Sequence, residues 1–192
     1  MAIAAYQNLA RAHRAAYEII KKVRPHAQVG LAQNCIWFSK VYNWPKGYAW
    51  NRLFFEMTRG AHDFIGINYY HSDRNRKEKT DMNWSIDPDG LEHVLIQMGR
   101  YKKPLFIFES GIADSADEKR AAFIRDHILA MRRAQKKGAD VRGYFYWSLL
   151  DNFEWDDGFD PRFGLVRMDY KTLSRSVRKS ADEYKMIIET LS

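Results

Sequence analysis

The chain has 192 residues, of which 46% are hydrophobic and 15% aromatic. This is enough to bury a substantial core in one domain, residues 1–192, and it excludes a wholly disordered, collagen-like or low-complexity protein. The chain carries 31 Lys and Arg against 24 Asp and Glu, a net charge of +7, but acidic residues interrupt the densest basic cluster. We therefore expect no nucleic-acid partner.

Nothing in the sequence indicates a membrane-spanning or secreted protein. There is no window of about 18 uninterrupted apolar residues, so no segment is expected to span a bilayer. The first residues lack the basic region, the long apolar stretch and the cleavage site of an export signal. The single cysteine, Cys35, excludes an internal disulfide, which suits a reducing compartment. These features together predict a cytoplasmic protein with no membrane partner.

The first half of the chain alternates helical periodicity with short apolar runs. Apolar residues recur every three or four positions over Gln7–Val23, which predicts an amphipathic helix that ends before Pro25. A first strand is expected over Gln28–Gln33 and a second over Asp63–Tyr70, with a helix over Asn51–Thr58 between them. Such alternation predicts an α/β fold with a parallel sheet.

The second half continues the same alternation. Asp87 is the expected N-cap of a helix, and strands three and four are expected over Pro104–Phe108 and Val141–Trp147. Residues 72–83 are polar and are expected to form a solvated loop. This loop contains the basic cluster of Arg74, Arg76, Lys77 and Lys79.

Two serine–glutamate pairs match the capping box that opens helices. Ser115 with Glu118 is expected to begin a helix that ends near Gly138, and Ser180 with Glu183 is expected to begin the last helix. Four strands alternating with helices leave the first and last strands without outer neighbours, and open edges of this kind invite pairing.

Polar and aromatic residues stand at the ends of three predicted strands. Asn68 and Tyr70 close the second strand, Glu109 follows the third and Trp147 closes the fourth. Because ligands bind at the carboxyl ends of parallel strands, we expect these side chains to converge on one site. Indole rings stack on the apolar faces of sugars and carboxylates bind hydroxyl groups, so the set suits a sugar.

Glu109 is the leading candidate for catalysis. Its carboxylate ends the apolar run 105–108, where it must be partnered or desolvated at a cost. The alternative interpretation is a structural ion pair with an arginine. A hydrogen bond from the Tyr70 hydroxyl would instead keep Glu109 ionised and oriented as a nucleophile. Glu154 and Trp155, next to an acidic loop with a glycine, are candidates for ligand binding.

No metal or cofactor is expected. The six histidines are scattered, without a paired spacing such as His-Glu-x-x-His. The simplest expectation for Cys35 is a small packed residue.

The segments DFIGINYY (63–70), PLFIFESG (104–111), GYFYWSLLDNFEW (143–155) and RFGL (162–165) resemble glycoside hydrolase family 1, the β-glucosidase family. The resemblance runs in order over nearly the whole chain. It implies hydrolysis of β-glycosides with retention, through a covalent glycosyl-enzyme. It also implies a fold in which this chain forms strands five to eight of a (β/α)8 TIM barrel, a C-terminal half-barrel.

The resemblance implies a role for each candidate residue. Glu109 would be the nucleophile, Tyr70 its hydrogen-bond donor and Asn68 a member of the same cluster. The implied sugar and leaving-group contacts are Trp84, Trp147, Glu154, Trp155 and Phe163. Members that act on 6-phosphorylated sugars usually lack the glutamate at position 154, so an unphosphorylated β-glycoside is the implied substrate.

The sequence departs from the family pattern in two ways. Phe108 and Ser110 stand where the family has threonine and asparagine beside the nucleophile, and no Asn-Glu-Pro motif carries the acid/base glutamate. The resemblance therefore implies that a complementary N-terminal half-barrel supplies strands one to four. The alternatives are a self-paired homodimer and a catalytically weak or inactive carbohydrate-binding half-barrel.

Overall fold

The computed structural model describes residues 2–191, which form six α-helices and six β-strands. The helices are α1 (Ala2–Val23), α2 (Trp44–Asn51), α3 (Leu53–Met57), α4 (Pro88–Gly99), α5 (Arg120–Lys136) and α6 (Lys179–Leu191). The strands are β1 (Gly30–Trp37), β2 (Phe64–Ser72), β3 (Leu105–Ser110), β4 (Val141–Tyr146), β5 (Val166–Met168) and β6 (Arg175–Val177).

The first four strands form one parallel sheet in the order β1-β2-β3-β4. Helical connections return the chain to the start of each next strand, as parallel pairing requires. Within residues 2–191 the outer edges of β1 and β4 pair with no further strand of this sheet. The predicted parallel α/β fold is confirmed, and its arrangement is that of half a (β/α)8 barrel.

The hydrophobic core lies on the helix side of the sheet, between the sheet and the helices α4 and α5. Alternate residues of a strand point to the same side, and β2 and β3 present Ile65, Ile67, Leu105 and Ile107 there, all fully buried. Leu91, Val94, Leu95 and Met98 of α4, at helical spacing, are also fully buried. Burial of each such side chain contributes roughly 1.5–3 kcal/mol.

The opposite side of the sheet, here called the open face, is filled by phenylalanine rings. The four rings, whose neighbouring centroids lie 5.5–6.1 Å apart, are those of Phe64, Phe106, Phe108 and Phe145. Three of the rings cover glycines of an adjacent strand, where an added Cβ would collide with the ring: Gly30, Gly66 and Gly143. The open face is therefore a layer of large rings set over backbone without side chains.

Several element boundaries differ from the sequence expectation. Helix α1 begins before Gln7, and β1 begins later than Gln28 and continues to Trp37 because its pairing with β2 extends to Ser72. In place of one helix over residues 51–58 there are two short helices, α2 and α3. Pro45 in the first turn of α2 favours an earlier start.

The capping box predicted at Ser115 is wrong. Helix α5 begins at Arg120, and the side chain of Asp114 accepts its first N–H groups at 2.8 and 2.9 Å. The Ser115 hydroxyl instead donates to Asp81 at 2.8 Å. The hydroxyl that the sequence pattern assigned to the end of α5 is therefore hydrogen-bonded to an acidic side chain of another loop.

The other predicted caps are also used differently. Ser180 lies inside α6 and donates to Asp117 at 2.6 Å, so it does not cap that helix. Asp87 precedes α4 as predicted, but its carboxylate makes no capping hydrogen bond. It instead accepts hydrogen bonds from the Ser72 hydroxyl at 2.5 Å and from Arg76 at 2.7 Å. The basic loop is therefore tied to a buried carboxylate, and is not simply solvated as predicted.

A hairpin of β5 and β6, which the sequence did not predict, follows the main sheet and is held by a buried ion pair. Arg178 donates to both oxygens of Asp151 at 3.0 and 3.1 Å, and the N–H groups of Gly164 and Met168 donate at 2.9 and 3.2 Å. Burial disfavours the ionised form of Asp151, but Arg178 and these N–H groups outweigh it and lower the pKa of Asp151.

We expect Arg178→Met to lower the free energy of unfolding by about 3–5 kcal/mol, because it removes the cation that donates to both oxygens of the buried Asp151 and leaves that charge with the longer contact to Arg162, at 3.6 Å. Urea unfolding of the chain measures this loss. Arg142→Met is the matched control, because its pair with Asp140 is more than half exposed on both sides, and it should cost less than about 1 kcal/mol.

The loss should also depend on pH. Because the pKa of Asp151 is lowered on folding, the pair contributes fully above the unfolded value of about 3.9, and the contribution disappears as the pH falls through the folded value. The difference in the free energy of unfolding between Arg178→Met and the parent chain should therefore become smaller in acid. Equal stability of the two chains at neutral pH would contradict this account of the hairpin.

Candidate active site

The carboxyl ends of β2, β3 and β4 bring the predicted site residues to one edge of the sheet. In the parallel register Asn68 lies opposite Glu109. Ser110, the next residue of β3, lies opposite Tyr146, which directly precedes Trp147. Strand pairing alone therefore places an amide, a carboxylate and an indole on neighbouring strands.

The central contact of the site is a hydrogen bond of 2.6 Å from the Tyr70 hydroxyl to Glu109 Oε2. Burial, together with this bond, raises the pKa of Tyr70, so the phenol stays protonated and donates. The carboxylate is half-buried, and within residues 2–191 neither an arginine nor any second hydrogen-bond donor contacts it. The arginine ion pair considered from the sequence is not formed among these residues.

Tyr70, Trp84 and Phe163 form an aromatic cluster beside Glu109. Their ring centroids lie 5.8 Å (Tyr70–Trp84), 6.1 Å (Tyr70–Phe163) and 6.4 Å (Trp84–Phe163) apart. The three rings come from β2, from the loop that follows it and from the segment before β5. Tyr70 and Trp84 are partly exposed and form an apolar wall of the kind on which the face of a sugar ring packs, whereas Phe163 is 2% exposed and lies behind them.

Trp147 and Glu154 form the second polar contact of the site. The Trp147 indole N–H donates to Glu154 Oε1 at 3.0 Å. Burial raises the pKa of Glu154 and the negative charge of Glu109 adds to the rise, against the hydrogen bonds from Trp147 and Asn152. The charge of Glu109 therefore lies close enough to affect the ionisation of Glu154.

Asn68 and Trp155 differ from the other candidates. Asn68 Oδ1 is buried, and no donor within the described part of the chain reaches it. Buried acceptors are rarely left unpaired, so this oxygen suits a donor from a bound molecule. Trp155 is 85% exposed, which places it outside the aromatic cluster.

Sequence reasoning missed the groups that hold the strand ends. An added Cβ on Gly111 would collide with the carbonyl oxygen of Trp147, so the two strand ends approach too closely for any side chain. The fully buried Arg120 donates to the Tyr146 hydroxyl at 2.9 Å and to the carbonyls of Asp114 and Arg162 at 2.5 and 2.8 Å. A cation in the first turn of a helix opposes the macrodipole, which is the signal that would have identified Arg120.

Two further features of the described residues concern metal binding and membrane insertion. No group of three or more His, Cys, Asp and Glu side chains in residues 2–191 is arranged to hold a metal ion. In the same part of the chain, no helix combines the length and the apolar character needed to cross a membrane.

Comparison with known sequences connects this site to a family. Residues 71–192 match the sequence model described as Glycosyl hydrolase family 1. The chain is 38% identical over 158 residues to the beta-galactosidase of Sulfolobus acidocaldarius, covering 69% of this chain and 32% of that protein. It is 37% identical over 156 residues to beta-glucosidase A of Acetivibrio thermocellus, covering 66% and 35%. The chain thus spans about a third of these curated relatives.

A solved structure shows the same relation in three dimensions. The beta-glycosidase from Pyrococcus horikoshii superposes with a TM-score of 0.84 at 34% identity, over 92% of this chain and 51% of that one. Such neighbours are TIM-barrel enzymes, and the present chain corresponds to about half of one. The expected half-barrel is therefore confirmed.

We expect Glu109→Gln to lower the pKa of Glu154, because the substitution removes a neighbouring negative charge while keeping the shape of the side chain. A carboxyl ¹³C NMR titration of the chain measures this shift. Glu118→Gln, on an exposed loop before α5, is the matched control and should leave the titration unchanged. A Glu154 curve that does not move in Glu109→Gln would show that the two carboxylates do not interact.

Proposed function

This chain belongs to glycosyl hydrolase family 1, and we propose that it is the C-terminal half of a retaining β-glycosidase that hydrolyses unphosphorylated β-glycosides. The observation that carries the proposal is the hydrogen bond of 2.6 Å from Tyr70 to Glu109 at the end of β3. It holds one carboxylate oxygen and leaves the other without a partner in the described chain.

In the proposed reaction Glu109 is the nucleophile. Its unpaired oxygen attacks the anomeric carbon, the bond to the leaving oxygen breaks, and a carboxylic acid outside this chain protonates that oxygen. Water then attacks the glycosyl ester while the same acid, now a carboxylate, removes its proton. The sugar is released and the Glu109 carboxylate is restored. Tyr70 orients the carboxylate and stays protonated throughout.

The remaining site residues would bind the sugar. Glu154, already oriented by Trp147, would accept a hydroxyl of the non-reducing sugar, and its charge would repel a phosphate group there. The unpaired Oδ1 of Asn68 would accept a hydrogen bond from a hydroxyl group of the sugar. The aromatic rings would pack on the sugar and its leaving group: Trp84, Trp147, Trp155 and Phe163.

The proposal requires a second carboxyl group from another half. Retaining enzymes place two carboxyl groups about 5–5.5 Å apart, and Glu154 is assigned to the sugar hydroxyls. We propose that a complementary N-terminal half-barrel supplies this acid and pairs with the unpaired edges of β1 and β4. Without general acid help, activity typically falls by about 10²–10⁴-fold.

The same unpaired edges support one alternative. A homodimer in which each β1 pairs with the partner's β4 would satisfy both edges without building a complete site. Such a dimer would be a carbohydrate-binding protein with little or no turnover. The solution mass of the chain, alone and with an N-terminal half, separates these two assemblies.

We expect an N-terminal half taken from a related enzyme, when mixed with this chain, to restore hydrolysis of an aryl β-glucoside. In that complex a 2-fluoro glycoside with a good leaving group should add one sugar mass to the peptide that contains Glu109. Glu109→Gln should abolish both results, whereas Glu118→Gln should not. A complex that forms and binds sugar but is never labelled would establish the binding-protein alternative.

Tyr70→Phe should slow the labelling of Glu109 roughly 10- to 100-fold in the same complex, because a hydrogen bond to a charged group contributes about 1.5–3 kcal/mol. The labelling rate under saturating reagent measures this effect. Tyr42→Phe, on an exposed tyrosine before α2, is the matched control. An unchanged rate in Tyr70→Phe would show that this hydrogen bond does not orient the nucleophile.

A further inference from the structure

A cavity separate from the candidate active site lies on the helix side of the sheet, beyond the carboxyl end of β1. Its volume is about 390 Å³, within the size range of small-molecule sites. Trp37, the last residue of β1, stacks on His93 of α4 with ring centroids 4.4 Å apart. This contact directs Trp37 toward the helices, whereas Tyr70 and Glu109 meet near the carboxyl ends of β2 and β3.

Two helices face each other across this cavity. Each contributes residues at positions i, i+3, i+4 and i+7, which form one face of a helix. From α2 these are Trp44, Gly47, Tyr48 and Asn51. From α4 and the residue that follows it they are His93, Ile96, Gln97 and Arg100. An added Cβ on Gly47 would lie 3.2 Å from the Phe38 ring, so Phe38 packs closely against α2 where the helix has no side chain.

Two buried polar atoms of the cavity wall have no hydrogen-bond partner within residues 2–191. They are the indole nitrogen of Trp37, a donor, and Gln97 Oε1, an acceptor. Polar groups nearby are paired, since the Asn51 amide bonds both the N–H and the carbonyl of Ile36 at 3.1 and 2.8 Å. A hydroxyl group has the chemistry that both unpaired atoms require, because it can accept a hydrogen bond from the indole and donate one to the amide oxygen.

Two aromatic side chains of α2, Trp44 and Tyr48, line the cavity. Trp44 is 64% exposed and stacks on Tyr48 with centroids 5.8 Å apart. An exposed indole beside a buried donor and acceptor matches a ring that has an apolar face and a hydroxylated edge. A pyranose has both.

We propose that this cavity is a second sugar-binding site, which takes one pyranose ring with a hydroxyl between Trp37 and Gln97 and the ring face on Trp44. The choice of a sugar over other hydroxylated rings rests on the proposed function of the chain. The site is separate from the candidate active site and takes no part in bond cleavage.

Indole N–H signals in ¹⁵N-labelled chain test this proposal, with methyl β-D-glucopyranoside as the probe. The chain has six tryptophans, and Trp37→Phe identifies the signal of Trp37. That signal should shift and saturate on titration. Gln97→Leu should raise the Kd roughly 3- to 10-fold, as expected for one lost hydrogen bond, and Trp44→Ala by about 10-fold through lost stacking. Tyr42→Ala is the matched control and should leave the Kd unchanged.

The possible outcomes separate this site from the active site. Glu154→Ala should leave the Trp37 titration unchanged, and labelling of Glu109 is measured independently, so either proposal can fail alone. No shift of the Trp37 signal up to about 0.1 M sugar, where a millimolar Kd is saturated, would mean that the cavity holds water only and would overturn the inference. A response to cyclohexanol but not to the sugar would overturn the sugar assignment.

Discussion

One buried carboxylate determines the shape of much of the candidate site. Asp151 receives two hydrogen bonds from Arg178 and one each from the N–H groups of Gly164 and Met168. It thereby draws the segment after β4 and the hairpin of β5 and β6 into one unit. Glu154 and Phe163 lie within this segment, so the carboxylate proposed to bind the sugar and one ring of the aromatic cluster depend on a charge outside the proposed sugar site.

The sequence predicted the parts of the molecule that depend on periodicity. Short apolar runs, such as the one that contains Ile65 and Ile67, identified the strands, and a carboxylate after the apolar run 105–108 identified Glu109 as a residue at the carboxyl end of a strand. Strand ends in a parallel sheet must converge, so the neighbourhood of Tyr70 and Glu109 followed from the order of the strands alone.

The parts that the sequence did not predict depend on contacts between distant residues. Ser115 and Ser180 match the local pattern of a helix cap, but Asp81 and Asp117 take their hydroxyls across 34 and 63 residues. The Asp151–Arg178 pair spans 27 residues. A local sequence pattern shows that a side chain can form a hydrogen bond. Which partner it bonds depends on how the whole chain packs.

The phenylalanine layer of the open face has a consequence for recombining half-barrels. Phe64, Phe106 and Phe108 already occupy the space above the glycines of their neighbouring strands. A second half-barrel joined to this one must therefore have small inward-facing side chains at the height of these rings. Larger side chains there would prevent the two halves from closing into a barrel. Compatibility between halves of different ancestry is thus limited by the size of their inward residues as well as by matching strand edges, and a chimaeric barrel should be designed from that layer outward.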